Sequence, residues 1–158
     1  MHKITTMLWF DGKAEEAMNF YTSVFKNSKI GTVARYPKGA PGGMDGQVMT
    51  AQFEINGSEF VALNAGPMFK FTEAVSFVIY CDTQDEIDYY WNTMTADGGE
   101  ESMCGWLKDK FGLSWQVTPT QMAKLMTGDK EGSQRAMQAM MQMRKLDINA
   151  LQSAYDGK

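Results

Sequence analysis

Apolar and polar positions in the first part of the chain alternate in blocks that predict a strand, a helix and a second strand. Residues 4–10 are apolar or β-branched, which is typical of a strand buried on at least one face. An amphipathic helix of about three turns follows, with Asp11 as its predicted cap. Its inner positions recur at helical spacing: Ala14, Ala17, Met18, Tyr21, Val24 and Phe25. Residues 30–36 then alternate as in a strand until Pro37 interrupts the pattern.

Two further strands are predicted after a loop. Residues 37–46 contain four glycines and two prolines, a composition typical of a loop. Residues 47–55 and 58–64 flank Asn56-Gly57, a pair that type I′ hairpin turns favour because both central residues need a positive φ. Residues 4–64 therefore predict a βαβββ module.

The same order of elements begins again further along the chain. Residues 74–81 predict an apolar strand, and Asp82 is the predicted cap of a second helix that Gly98-Gly99 ends. The inner face of that helix carries Ile87, Tyr90, Trp91 and Met94. A short strand is predicted at 100–103.

A closing hairpin over residues 104–117 completes the second module, which spans 74–118. Its turn is predicted at Phe111-Gly112, and Lys108 and Asp109 are interpreted as polar surface residues of that turn. Superposing Gly57 on Gly112 places Phe60 on Trp115, and superposing Asp11 on Asp82 brings the helix aromatics within one residue of each other. The chain is therefore predicted to be a structural duplication.

Residues 119–158 predict a helical tail. Thr118-Pro119 are interpreted as a cap with proline in the first turn of a short helix from Gln121 to Met126, which Gly128 ends. A longer helix is predicted at 133–145 and a last one at 147–155. Methionine fills irregular gaps, so we expect the Met-rich face of this tail to pack against the body or a partner chain, rather than to bind a cofactor.

Composition narrows the class of protein. A chain of 158 residues is most often a single domain, and a net charge of -4 without a basic stripe argues against a nucleic-acid surface. Neither a signal-peptide pattern nor an 18-residue apolar segment occurs, so we expect a cytoplasmic protein without a membrane span. Cys81 and Cys104 are interpreted as buried, reduced thiols.

Three stretches together carry a family resemblance: residues 8–21, residues 104–116, and the Met-rich tail up to and including residues 145–151. They resemble the PhnB-like proteins of the vicinal oxygen chelate superfamily, which includes glyoxalase I, bleomycin-resistance proteins and extradiol dioxygenases. The resemblance implies an α+β fold in which paired βαβββ modules form a cupped mixed sheet, here with C-terminal helices. It also implies a homodimer. Some members carry the label 3-demethylubiquinone-9 3-methyltransferase, which we interpret as a name and not as a mechanism.

Metal-dependent members of that superfamily place His or Glu on the first and last strands of each module. The matching positions here are Thr5 or Thr6, Val61, Ala74 or Ser76, and Gln116. None of these is an imidazole or a carboxylate, so we expect no metal cofactor at this site. His2 is the only histidine and is interpreted as a surface group near the terminus.

The remaining candidates would line a cavity for a small organic ligand. They are aromatic, hydroxyl, amide and carboxyl side chains: Trp9 or Phe10, Tyr21, Thr50, Glu73, Trp115 and Gln116. The alternative is that the aromatic residues belong to the core, and that Glu73 is a solvated residue at a strand end.

Three functions remain open from the sequence. The favoured one is a homodimeric protein that binds a small molecule without a metal. The second is an enzyme of the same superfamily, an isomerase, lyase or dioxygenase with Glu73 as base, and the third is an interaction protein that works through its tail. A Ser or Cys triad lacks a suitably placed histidine, and the glycine-rich stretch 39–43 leads from one strand to another, which does not match a methyltransferase cofactor turn.

Overall fold

The computed structural model describes residues 4–158, and the chain divides into two compact units, with the boundary between Lys70 and Phe71. Each unit combines one four-stranded mixed sheet with helices, which confirms the predicted α+β class. In the described part of the chain, no helix is both long and apolar enough to cross a membrane. The prediction for His2 lies outside the described residues.

The first unit has the predicted βαβββ order. Its elements are β1 (Thr6–Phe10), α1 (Ala14–Val24), β2 (Ser28–Arg35), β3 (Val48–Ile55) and β4 (Ser58–Asn64), with a single 3₁₀ turn at Pro41–Gly43 in the loop after β2. The strands are ordered β1-β4-β3-β2, and β1 pairs with β4 in parallel while the other pairs are antiparallel. The β3–β4 turn is confirmed at Asn56-Gly57, where both residues have positive φ (48° and 81°).

The core of this unit lies between the sheet and α1. Leu8 and Phe10 of β1 are buried there, whereas Met7 before them is 59% exposed and Trp9 between them is half-buried, as the two-residue period of a strand requires. Tyr21 of α1 stacks on Phe53 with ring centroids 5.8 Å apart, and Phe53 stacks on Phe60 at 5.3 Å. One face of the sheet is therefore committed to packing against the helix.

The second unit repeats this arrangement. Its elements are β5 (Ser76–Cys81), α2 (Gln84–Thr95), β6 (Glu100–Glu101), β7 (Trp106–Lys108) and β8 (Ser114–Pro119), ordered β5-β8-β7-β6. The parallel pairs of the two units have matching register: Thr6 is opposite Phe60 in the first, and Phe77 is opposite Trp115 in the second. These are the residues that the two sequence superpositions align, so the register agrees with a duplicated module.

The tail forms three helices with a small core of their own. They are α3 (Met122–Thr127), α4 (Lys130–Met140) and α5 (Ile148–Asp156). The buried residues of the tail are Leu125, Ala136 and Leu151 of the helices and Leu146 of the segment before α5, and they pack with Met122, Met126, Met140 and Met143. Met137 and Met141 are exposed by 48% and 58%, so only part of the methionine set contributes to packing in this chain.

Both predicted helix caps were wrong. The N-cap position of α1 is Lys13, whose side chain makes no capping hydrogen bond. The free N–H of Ala14 in the first turn is instead paired by a residue of β4, because Asn64 Oδ1 accepts its hydrogen bond (2.8 Å). The N-cap of α2 is Thr83, which forms a capping box with Glu86. A capping residue can be distant in sequence, which local pattern analysis cannot detect.

Three other local predictions need correction. Thr118 and Pro119 are the last residues of β8, paired with Tyr80 and Cys81, and do not begin a helix. The long tail helix ends at Met140, before the predicted end at 145. Asp109 is 2% exposed and is thus not a surface turn residue.

Candidate functional site

Each sheet has one face against its helix and one face turned away from it, which we call the far face. In the first unit the alternation places Met7 and Trp9 of β1 on the far face, together with Val61 and Leu63 of β4 and Thr50 and Gln52 of β3. In the second unit the far face carries Ser76, Val78, Tyr80, Trp106, Lys108, Ser114 and Gln116. Of the seven predicted cavity residues, these two faces carry three: Trp9, Thr50 and Gln116.

Trp9 and Thr50 lie in one row on the far face of the first unit, joined through Leu63, which is the register partner of both. Trp9 Nε1 donates a hydrogen bond to the Gly66 carbonyl (2.8 Å), and its ring meets Phe69 edge-on at 4.9 Å. Phe10 and Tyr21, by contrast, are 4% and 0% exposed and lie in the core beside α1. The structure thus separates this group of predicted cavity residues.

The candidates of the second unit are also divided between the two faces. Trp115 is 4% exposed on the helix side, and its Nε1 donates to Asp109 Oδ2 (2.9 Å). Gln116 is on the far face, where its Nε2 donates to Ser76 Oγ (2.9 Å). Glu73 precedes β5 and forms an ion pair with Lys108 Nζ (2.5 Å).

The positions associated with metal binding carry side chains that do not suit a divalent ion. Thr5 and Val61 line one cavity of the first unit, and Ser76 and Gln116 bond to each other in the second. Thr6 alternates onto the helix side of β1 and Ala74 precedes β5, so neither belongs to a far face. A hydroxyl, an aliphatic group and a neutral amide are poor ligands for the ions that imidazole and carboxylate bind. Among residues 4–158, no group of three or more His, Cys, Asp or Glu is arranged to hold a metal.

A cavity of about 420 Å³ lies on the second unit. It follows a row of register partners that crosses the sheet, in which Ser114 is opposite both Ser76 and Lys108, and Lys108 is also opposite Glu100. Its lining is charged and aromatic in character: Glu73, Glu100, Glu101, Ser102, Trp106, Leu107, Lys108 and Ser114. Of these residues, sequence analysis proposed only Glu73 for the cavity. The signal for the others was the spacing of two residues between Trp106 and Lys108 and between Ser114 and Gln116, which places each pair on one face of its strand.

The ion pair in this cavity holds both partners in their charged forms. The hydrogen bond from Lys108 lowers the pKa of the Glu73 carboxyl, and a backbone hydrogen bond and the lysine charge lower it further. The same bond, followed by the charges of Glu73 and Glu100, raises the pKa of Lys108. A carboxyl with a lowered pKa is a weaker base near neutral pH, which argues against Glu73 as a general base.

The first unit has a cavity of about 400 Å³ at the corresponding place on its sheet. The row of register partners there is Lys29, Glu54 and Glu59, and Lys29 Nζ lies 3.4 Å from Glu54 Oε1. Each unit therefore carries a cavity beside a charged row, with a different set of charges.

Neither cysteine adds a nucleophile to these cavities. Both are free thiols, Cys81 buried and Cys104 half-buried. Burial, followed by the charges of Glu86 and Asp82, raises the pKa of Cys81 to about 12, so this thiol stays protonated at neutral pH.

Comparison with known proteins places these features in a family context. Residues 2–118 match the family model described as 3-demethylubiquinone-9 3-methyltransferase, so α3 to α5 lie beyond the matched part. The PhnB protein from Bacillus cereus is 42% identical, with a TM-score of 0.68 over 75% of this chain and 100% of its own. No curated protein matches the chain.

More distant solved structures share the fold at low identity. PA1353 from Pseudomonas aeruginosa is 19% identical, with a TM-score of 0.63 over 75% of this chain and 98% of its own. A variant of the fosfomycin resistance protein FosX from Listeria monocytogenes, complexed with Mn(II) and 1S,2S-dihydroxypropylphosphonic acid, is 12% identical, with a TM-score of 0.55 over 75% of this chain and 92% of its own.

Proposed function

Because the chain belongs to the 3-demethylubiquinone-9 3-methyltransferase-labelled, PhnB-like family of the vicinal oxygen chelate superfamily, we propose that it binds a small organic molecule on a far face without a metal. The observation that carries the proposal is the bond between Gln116 and Ser76. Two positions at which metal-dependent members place ligands are here a neutral pair joined by a hydrogen bond. An ion could bind there only by breaking that bond, and it would gain two weak oxygen donors.

The chemistry of the far faces favours an organic ligand. Both faces combine apolar or aromatic area with a few polar groups, which is the usual composition of small-molecule sites. Trp9 and Trp106 are half-buried and so retain surface for contact, while Tyr80 is 69% exposed. Cavities of about 400 Å³ and 420 Å³ are within the usual size range of such sites. Because the far faces carry cavities, we favour a ligand-binding protein over an interaction protein that works only through its tail.

The family name does not describe the proposed activity. A methyltransferase that uses S-adenosylmethionine is usually built on a doubly wound parallel sheet with a glycine-rich turn between a strand and a helix. Here the glycine-rich stretch joins β2 to β3, two antiparallel neighbours, and contains only the short turn Pro41–Gly43. We therefore base the proposal on the far faces rather than on the name.

The FosX complex with Mn(II) represents the opposing case, a related fold that binds a metal and a small phosphonic acid. Its identity to this chain is too low to transfer either ligand. We propose in addition that the chain is a homodimer, in keeping with its family, and that it works in the cytoplasm.

Native mass spectrometry of the purified protein, combined with elemental analysis, tests the proposal. We expect a copurified or added organic molecule and less than stoichiometric Zn, Ni, Mn or Fe. Trp106→Ala should weaken retention of a second-unit ligand, whereas Tyr89→Ala should not, because Tyr89 is an exposed residue of α2. One equivalent of a divalent metal held by the native protein would overturn the proposal in favour of an enzyme of the same superfamily.

A further inference from the structure

We propose that the cavity of the second unit selects a protonated amine attached to an apolar or aromatic group. The inference rests on the proposed function, because it names the class of ligand that one far face would bind. It depends on three features of the cavity: an excess of carboxylates, a buried hydroxyl without a partner, and an aromatic wall.

The charge of the lining favours a cation. Three carboxylates and one ammonium surround the cavity, which gives a net charge of -2 from Glu73, Glu100, Glu101 and Lys108. Glu73 and Lys108 compensate each other through their ion pair. Glu101 is already engaged, because its Oε1 accepts from Trp91 Nε1 (2.9 Å) and its Oε2 lies 3.6 Å from Arg144. The side-chain carboxylate of Glu100 accepts no hydrogen bond within the described chain and interacts with Lys108 only through its charge, so it remains for a ligand.

Ser114 supplies the second feature. Its side chain is fully buried, lines the cavity, and lies between Ser76 and Lys108 in the row of register partners. In the described part of the chain, its Oγ is one of two buried side-chain polar atoms without a hydrogen-bond partner, the other being that of Ser133 in α4. Buried polar groups are nearly always paired, so an unpaired one that lines a cavity indicates a missing donor or acceptor. An ammonium N–H supplies that donor.

Trp106 supplies the wall. It lies on the same face of β7 as Lys108, two residues away, and it is half-buried. An aromatic face attracts a cation and also packs against the apolar part of an organic amine. Carboxylate, hydroxyl and indole together therefore suit an alkylammonium or arylalkylammonium ion.

An anion is the competing occupant because, among residues 4–158, Lys108 is the one cation of the lining. To bind an anion, Lys108 would have to release Glu73, and the anion would then lie among three carboxylates. Such like-charge contacts disfavour binding, and the anion would also have to replace the hydrogen bond between Lys108 and Glu73. The geometry thus favours the amine over a carboxylate or phosphonate.

The test compares three ligands of similar shape: benzylamine, benzyl alcohol and benzoate. Each is titrated into the full-length protein and followed by amide chemical shifts of residues 100–116. We expect benzylamine to bind about tenfold more tightly than benzyl alcohol, since the carboxylate makes a charge-assisted hydrogen bond only to the amine. Benzoate should not saturate the same amides.

Variants separate the contributions of the groups. Glu100→Gln should reduce benzylamine affinity to about that of benzyl alcohol, whereas Glu54→Gln, a matched carboxylate change in the first-unit cavity, should leave it unaltered. Ser114→Ala should weaken benzylamine binding and at the same time raise the melting temperature of the free protein, because it removes an unpaired buried hydroxyl.

The outcomes are distinct. Equal or tighter binding of benzoate or benzyl alcohol would overturn the amine inference and leave metal-free binding of an organic molecule intact. Absence of binding by all three would also overturn the inference, whereas the proposed function is judged separately by metal content and copurified molecules. Loss of benzylamine binding in Glu54→Gln would place the amine in the other cavity and would contradict the assignment.

Discussion

The two units share a strand order and register but differ in the charged row that crosses each far face. In the first unit Lys29, Glu54 and Glu59 are successive register partners on β2, β3 and β4. In the second unit the same places on β6, β7 and β8 carry Glu100, Lys108 and Ser114. The outer and central positions exchange the signs of their charges, and the carboxylate at the third position, Glu59, is replaced by the buried hydroxyl of Ser114. A duplicated frame can therefore keep its helix-side packing while the far faces acquire different ligand preferences.

The helix sides of the units differ as well, in the polar residue that each one buries. Asn64 of the first unit joins two elements, since it accepts from Ala14 N–H and donates to the Val48 carbonyl (3.0 Å). Asp109 of the second unit accepts from the N–H groups of Phe111 (2.9 Å) and Leu113 (3.1 Å) through Oδ1, and from Trp115 through Oδ2. The Asp109 side chain thus organises the closing hairpin, and the Asn64 side chain connects a helix to its sheet.

The largest effect is expected from removing the buried carboxylate. Asp109→Ala leaves three donors without their acceptor, one of them the indole of Trp115, and we expect a loss of about 3 to 4 kcal/mol in the free energy of unfolding. Asn64→Ala should cost about 1 to 2 kcal/mol, because it affects two neutral hydrogen bonds. Urea unfolding followed by tryptophan fluorescence measures both values.

Asp45→Ala is the matched control, since Asp45 Oδ2 accepts only an exposed loop hydrogen bond from Gly39 N–H (2.9 Å). A change within about 0.5 kcal/mol is expected there. If Asp109→Ala cost no more than Asn64→Ala, the carboxylate would not be the dominant anchor of the hairpin.

A second effect concerns the contact between the tail and the closing hairpin of the second unit. Gly105 donates its N–H to the Arg144 carbonyl (2.8 Å), and a Cβ at this position would approach the Val117 carbonyl oxygen to 2.8 Å and Leu146 to 3.0 Å. The residue also has a φ of 81°, which disfavours a side chain. Gly105→Ala should therefore destabilise the protein by about 2 to 3 kcal/mol in thermal or urea unfolding.

The controls are the two equivalent hairpin glycines, Gly57 and Gly112. Both have positive φ (81° and 83°), and a Cβ at either would have no atom within 4 Å. Alanine there should cost about 1 kcal/mol from backbone strain alone. Equal losses at all three glycines would mean that the contact between the hairpin and the 144–146 segment contributes little.

The sequence predicted the features that depend on local period and turn chemistry. The hairpin at Asn56-Gly57 is one example, because positive φ at both positions is a property of the dipeptide itself. The duplication is another, since matched residues such as Phe60 and Trp115 occupy equivalent register positions. The turn can be identified from two residues, and the duplication from comparing the order of elements in the two halves of the chain.

The site could not be predicted to the same degree. Of two neighbouring residues in a strand, one turns toward the helix and one toward the far face, and the sequence does not say which. Trp9 and Phe10 were both candidates, and only the register with Leu63 and Asn64 separates them. Asp109 was interpreted as a surface residue, although a carboxylate that accepts three hydrogen bonds can be buried. The cavity beside Ser114 requires Glu100 and Lys108 to be paired across strands, which is a long-range fact.

A third effect tests whether the neutral pair is what separates this chain from metal-binding relatives. Ser76→His together with Gln116→Glu places an imidazole and a carboxylate at two positions whose present side chains are 2.9 Å apart. We expect the double variant to bind Ni²⁺ about tenfold more tightly than the unaltered protein, a gain of ~1.4 kcal/mol. Isothermal titration calorimetry measures the change.

The single variants are the controls, and neither should reach the affinity of the double variant. Thr5→His with Val61→Glu makes the corresponding change in the first unit, where both residues line one cavity. If the double variant bound Ni²⁺ no more tightly than the better of the two single variants, the two positions would not converge on one ion.

The smallest effect is expected at the Glu73–Lys108 ion pair. The pKa of the Glu73 carboxyl lies below its ordinary value of 4.5, chiefly because Lys108 donates a hydrogen bond to it. Lys108→Met should therefore raise this pKa toward the ordinary value, as followed by carboxyl ¹³C resonances in a pH titration. Lys29→Met removes the corresponding charge of the first unit and should leave Glu73 unaltered.

The sign of the stability effect follows from these directions. A carboxyl whose folded pKa is lowered stabilises the fold above its unfolded pKa, and that contribution is lost as the pH falls through the folded pKa. Lys108 behaves in the opposite sense: its raised pKa stabilises the fold below about 10.5, and the contribution is lost as the pH rises through the folded value. Because both side chains are substantially exposed, the shift should be small and should shrink at high salt. An acid-unfolding midpoint that moves equally in Lys29→Met and Lys108→Met would indicate that net charge, and not this pair, controls the response.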